Sequence, residues 1–138
     1  MNADILKNIA HTYGTPSYIF NVDELESRLN TIKQILGEGI DVLYAMKANP
    51  FLVPVMSRLG MRFEVCSPGE FAICENEHVN MQDIVLSGVN KERADIEHVM
   101  DDCGGVGIYT VESVRHFQLL ASMAEKRSTV IHVLLRVT

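Results

Sequence analysis

Lys47, Glu64 and Arg136 are the residues of this 138-residue chain whose types and placement could do chemistry. Lys47 closes the largely apolar run Asp41-Val42-Leu43-Tyr44-Ala45-Met46 and is followed by Ala48-Asn49-Pro50. A lysine at the end of a buried strand is costly unless its amine has a use. Burial disfavours the charged ammonium, and a neutral amine condenses with an aldehyde. The alternative is a lysine that snorkels from the strand end into solvent. The five histidines show no metal-ligand spacing, so no metal site is expected. Cys66, Cys74 and Cys103 form no Cys-x-x-Cys pair and read as buried reduced thiols of a cytoplasmic protein.

The elements that must position these residues repeat. Apolar strand candidates lie at Ile40–Met46, Arg62–Cys66, Asp83–Leu86, Val106–Tyr109 and Thr129–Val137. Their centres are roughly 21 to 25 residues apart, room for one strand, one short helix and two tight loops. Ser67-Pro68-Gly69-Glu70 reads as a capping box with proline at the first helical position. Asn90 and Thr110 are candidate N-caps for helices near 91–102 and 111–125, and Gly60 and Gly104 fit helix ends. Ahead of the repeats, residues 3–12 read as a short helix and Ser17-Tyr18-Ile19-Phe20 as a strand. A helix over 23–36 follows, with Leu25, Leu29, Ile32 and Leu36 on one face and a box-like cap at Asn21 and Glu24.

Strands alternating with helices imply an α/β fold with a parallel sheet and right-handed crossovers. An open doubly wound sheet and an arc of a (β/α)8 barrel both fit; a complete barrel needs about 250 residues. Side-chain alternation puts Leu43, Ala45 and Lys47 on one face, with Glu64 and Cys66 on the second strand and His132, Leu134 and Arg136 on the fifth. The opposite face is apolar throughout, which suits a barrel mouth. The expected organisation is therefore a single domain over 1–138, with a lead-in over 1–22 and repeats over 23–138. It forms about five strands of an incomplete barrel.

Hydrophobic residues make up 47% and charged residues 22%, ordinary for a globular protein. A net charge of −6 without a basic cluster argues against a nucleic-acid partner. No apolar run approaches the ~18 residues of a membrane span, and Met1-Asn2-Ala3-Asp4 lacks the pattern of a signal peptide. Gly104-Gly105-Val106-Gly107 precedes a strand, so it reads as turn chemistry, not a dinucleotide loop.

Four motifs in order carry a family resemblance. They are Tyr44-Ala45-Met46-Lys47-Ala48-Asn49, Phe63-Glu64-Val65-Cys66-Ser67-Pro68-Gly69-Glu70, Ser87-Gly88-Val89-Asn90-Lys91 and Leu135-Arg136-Val137. The chain resembles the first third of the fold-type III decarboxylases that use pyridoxal 5'-phosphate on diaminopimelate, ornithine and related basic amino acids. Their fold is an alanine-racemase-like barrel plus a β-domain. The resemblance implies that Lys47 is the catalytic lysine, holding the cofactor as a Schiff base. It implies that Ala45 leaves room for the flat ring, and that Arg136 sits near the phenolic side and orients the acid on the second strand. Glu64 occupies the position of that acid, where the commoner residue is aspartate. Glu70 matches the glutamate of a Ser-x-Gly-Glu turn. An amino acid substrate and a homodimer are implied as partners. The family's phosphate-binding glycine loop, ring-nitrogen acid and C-terminal β-domain have no counterpart in these residues, so the chain alone is expected to be inactive. The rival readings are an amino acid racemase on the same barrel and a non-catalytic binding module.

Overall fold

A computed structural model describes residues 2–137. It divides into two compact units, Met1–Ile40 and Asp41–Thr138.

The first unit holds two helices, α1 (Ala3–Tyr13) and α2 (Val22–Leu36). Both start on asparagine caps. The Asn2 side chain accepts from the Ile5 N–H at 2.9 Å and Asn21 from Glu24 at 3.3 Å, each satisfying an orphan donor of the first turn. On α2, Leu25 and Leu29 are half-buried, whereas Ile32 and Leu36 are exposed. The strand expected at Ser17–Phe20 does not form. A strand exists by exchanging hydrogen bonds with a neighbour, and among the described residues none pairs with this segment, whose Tyr18, Ile19 and Phe20 are exposed.

The second unit is a five-stranded parallel sheet of sequential order: β1 (Leu43–Ala45), β2 (Arg62–Val65), β3 (Ile84–Leu86), β4 (Ile108–Val111) and β5 (Val133–Leu135). The helices α3 (Val53–Arg58), α4 (Pro68–Asn76), α5 (Arg93–Asp101) and α6 (Val114–Lys126) connect them. Ser67 caps α4 by accepting from Glu70 N–H at 3.3 Å. The Glu70 carboxylate reaches back to the Cys66 N–H at 2.7 Å, one residue before the partner a standard box would use.

Two expected caps move. Thr110 lies inside β4, because pairing with β5 runs through Thr110↔Leu134 to Val111↔Leu135. The start of α6 therefore shifts to Ser113, which accepts from His116 N–H at 3.1 Å. Helix α5 begins after Glu92, leaving Asn90 in the preceding loop. The outer strands are shorter than their apolar runs, since only residues with a ladder partner count as strand.

One face of the sheet carries the core. Phe63, Val65, Ile84, Leu86, Tyr109 and Val111 are buried, together with Phe71, Cys74, Ile96, Val99, Leu120 and Met123 from the helices. Full burial of each such side chain contributes roughly 1.5–3 kcal/mol. Leu43, Ala45, Glu64, Val85 and Thr110 alternate onto the other face, where Val85 is also buried. The C-terminal ends of all five strands lie along one side of this parallel sheet.

Candidate active site

Strand β1 ends at Ala45, and Lys47 sits in the one-turn 3-10 helix Met46–Ala48 that follows it. The turn is held in place locally. Asn49 N–H donates to Met46 O at 3.1 Å, and Tyr44 Oη donates to Asn49 O at 2.8 Å. The Asn49 side chain accepts from Phe51 N–H at 3.2 Å and starts the next turn. Met46 takes the buried position of this segment, with the Cys74 thiol 3.6 Å from its sulfur. Lys47 itself is exposed. The expectation of a buried, desolvated amine is corrected: the chain leaves the strand before Lys47, and the amine projects at the strand mouth in the snorkelling manner.

Glu64 stands opposite Ala45 in the β1–β2 register. Its carboxylate accepts from Cys66 Sγ at 2.9 Å and from the Ser87 hydroxyl. Partial burial pushes the Glu64 carboxyl up. The bonds from Cys66 and Ser87, with the Lys47 charge, more than offset this and hold it below the usual carboxylate range. The Lys47 charge thus reaches Glu64 across the ends of β1 and β2.

Arg136 follows β5, and its backbone N–H donates to Val111 O at 2.9 Å. Its guanidinium pairs with Glu112 at 3.6 Å, not with Glu64. The expected Arg136–Glu64 pairing is therefore corrected. Strands β3 and β4 intervene, and three strand spacings of about 4.8 Å place roughly 14 Å between the two rows. Glu112 also accepts from the Thr110 hydroxyl at 3.3 Å. Thr110 in turn accepts from Lys91 Nζ at 3.2 Å, and Lys91 also donates to the Gly88 carbonyl. Burial pushes the Lys91 ammonium down, partly offset by Glu112.

The structure thus brings Lys47, Ala45 and Glu64 together and leaves Arg136 three strands further on, past β3 and β4. Sequence reasoning missed Ser87 and Cys66 as the partners of Glu64, Glu112 as the partner of Arg136, and the burial of Lys91. Cys66 shared the face of Glu64 by alternation, and Ser87 follows β3. Both signals existed, but only the sheet register turns them into contacts. Gly88 marks the same closeness: a Cβ there would lie 2.1 Å from the Cys66 carbonyl oxygen.

Comparison with known proteins bears on family and fold. The family described as pyridoxal-dependent decarboxylase, pyridoxal binding domain, matches residues 22–138. The diaminopimelate decarboxylase of Halalkalibacterium halodurans is 32% identical over 135 residues, covering 94% of this chain and 30% of that protein. The diaminopimelate decarboxylase of Aquifex aeolicus is 27% identical over 134 residues, covering 96% and 31%. Among solved structures, AQ1208 from Aquifex aeolicus superposes with a TM-score of 0.77 at 26% identity, over 96% of this chain and 33% of that one. Lysine decarboxylase from Selenomonas ruminantium gives 0.76 at 24% identity, over 99% and 35%, a likeness of fold. The five-stranded sheet is an arc of the barrel on which such decarboxylases are built. The chain spans about 30% of the length of the curated relatives it matches.

Proposed function

The chain belongs to the pyridoxal-dependent decarboxylases, with residues 22–138 in the pyridoxal binding domain, and we propose that it is the lysine-bearing barrel segment of an amino acid decarboxylase. Residues 1–138 then form the N-terminal part of one barrel domain, with 1–22 as its lead-in. The observation that carries this reading is the exposed Lys47 at a strand mouth, two residues past Ala45, which stands opposite Glu64 in the sheet register. The substrate we propose is a basic amino acid such as diaminopimelate, ornithine, lysine or arginine. The similarity to named diaminopimelate decarboxylases supports that choice.

The residues present fit pyridoxal 5'-phosphate. An accessible primary amine follows a small residue, Ala45, and stands beside a carboxylate whose charge two hydrogen bonds maintain. When bound, that cofactor supplies an electron sink for the bonding pair left when carbon dioxide departs. Lys47 would hold it through Nζ. Ala45 would leave space for its ring, because a larger side chain in that row would stand over Glu64. Glu64 would be the acid of the site, with Cys66 and Ser87 keeping it ionised and oriented. Arg136 would supply a cation on the far side, steadied by Glu112.

In this reading the protein is a cytoplasmic homodimer that handles an amino acid and engages neither membrane nor nucleic acid. Its three unpaired thiols and net charge of −6 support that placement, although only Cys74 is buried as expected and Cys66 and Cys103 are half-buried at loop positions. In the same reading residues 1–138 alone are inactive, because among the described residues the strand ends provide no dedicated grip for a phosphate. The test is borohydride reduction of the cofactor-loaded protein followed by peptide mapping. Pyridoxyl mass is expected on the peptide containing Lys47; a label confined to Lys33 or Lys91 would sink the assignment.

A further inference from the structure

The C-terminal end of α5 carries a cluster that the decarboxylase reading does not use. His98 lies on α5 and Glu75 on the neighbouring α4, while Cys103 follows the end of α5. The chain turns back sharply here. Asp102 N–H and Cys103 N–H both donate to His98 O, at 2.9 and 3.3 Å, and Gly104 and Gly105 follow with positive φ. That reversal brings the Cys103 thiol near the imidazole Nε2. Glu75 Oε1 and His98 Nε2 are 2.9 Å apart, Cys103 Sγ and Glu75 Oε1 3.3 Å, and Cys103 Sγ and His98 Nε2 3.8 Å.

One carboxylate oxygen, one imidazole nitrogen and one sulfur thus occupy the corners of a small triangle. Zinc bonds of about 2.0–2.2 Å to nitrogen and oxygen and about 2.3 Å to sulfur give tetrahedral edges of about 3.3–3.7 Å. The observed edges bracket those values, so a cation seated above the triangle reaches all three donors with adjustments of a few tenths of an ångström. The ring is already oriented for it. Asp102 Oδ2 lies 2.7 Å from His98 Nδ1, the carboxylate–histidine arrangement that leaves Nε2 directed at a metal. Phe71 packs edge-on against the imidazole at 6.1 Å between centroids. His98 is exposed and its two co-ligands are half-buried, so the triangle has an open approach.

We propose that Glu75, His98 and Cys103 form a binding site for one zinc-class divalent cation, clamping α4 to the end of α5. The mixed oxygen, nitrogen and sulfur set selects a borderline-soft ion over magnesium or calcium. Three protein donors leave a fourth position for water. Residue spacing alone could not reveal the site, because the ligands come from two helices and a turn and Glu75 lies 23 residues before His98.

The test is titration of the purified, reduced full chain with cobalt(II), then displacement by zinc. A tetrahedral site with a thiolate ligand gives intense visible d–d absorption and a sulfur-to-cobalt charge-transfer band, both lost when zinc is added. Cys103→Ser should abolish the charge-transfer band while Cys66→Ser retains it. Asp102→Asn, which keeps all three ligands, should weaken binding about 10- to 100-fold. Zinc should raise the unfolding midpoint of the wild-type chain and leave Cys103→Ser unchanged. Circular dichroism of the metal-free variants establishes that they are folded. No cobalt spectrum, a weak six-coordinate one, or a charge-transfer band that survives Cys103→Ser overturns the proposal. In any of those outcomes the cluster is only a hydrogen-bonded bracket between the helices.

Discussion

Glu64 ties the charge of the candidate site to the stability of the sheet that carries it. Its folded-state pKa is depressed, so its contribution is complete above the unfolded value of about 4.3 and is lost as pH falls through the folded value. Chemical denaturation across the acid range should show this limb, and Glu64→Gln should flatten it. An unchanged acid limb in that variant would mean that Cys66 and Ser87 do not stabilise the ionised form. His116 titrates with the same sense. It is buried with Nδ1 unpartnered among the described residues, and burial together with Lys91 pushes its pKa down. The neutral ring is the form that folds. Stability should therefore fall as pH drops below about 6.5, and His116→Leu should remove that step in the same denaturation series.

At the scale of elements, the ends of β2 and β3 approach too closely for any side chain at Gly88. The obstructing atom is the backbone carbonyl of Cys66, just past the end of β2, and it cannot swing away as a side chain could. Gly88→Ala should therefore destabilise by about 1–3 kcal/mol through overpacking. A denaturation midpoint unchanged from wild type would show that the strand ends can separate freely. Helix α4 depends on its cap in a more ordinary way. Ser67→Ala removes the acceptor for Glu70 N–H and should cost about 1 kcal/mol. Glu70 has a second bond of its own, to Cys66 N–H, at the foot of the strand bearing Glu64. Loss of α4 capping should thus loosen the candidate site as well as the helix, visible as faster hydrogen exchange at Cys66.

At the scale of the whole molecule, β1 and β5 are the edges of the sheet. Strand β5 presents Val133, Leu134 and Leu135 at 43%, 53% and 66% exposure. Unpaired strand edges and exposed apolar rows invite pairing with another chain. The 138-residue chain should therefore self-associate in sedimentation equilibrium, with apparent mass rising with concentration. A strictly monomeric species at every concentration, with slow amide exchange along β5, would contradict this.

The alternation of apolar runs with capped helices was enough, read from residues alone, to determine a parallel α/β sheet. All five strands of that sheet appear in order, because burial of apolar surface is a local bias that adds along a segment. The motif around Lys47 was legible for the same reason, since its residue types stand side by side in the chain. What only the tertiary structure decided is where strands stop and which side chains meet across them. Lys47 leaves β1 for a turn because Met46, not Lys47, fills the core position there. Arg136 pairs with Glu112 because two strands separate it from Glu64. Glu75, His98 and Cys103 converge because a helix end reverses at two glycines. Each outcome depends on ladder register and on contacts between residues distant in sequence, and no property of a residue's own neighbourhood encodes these.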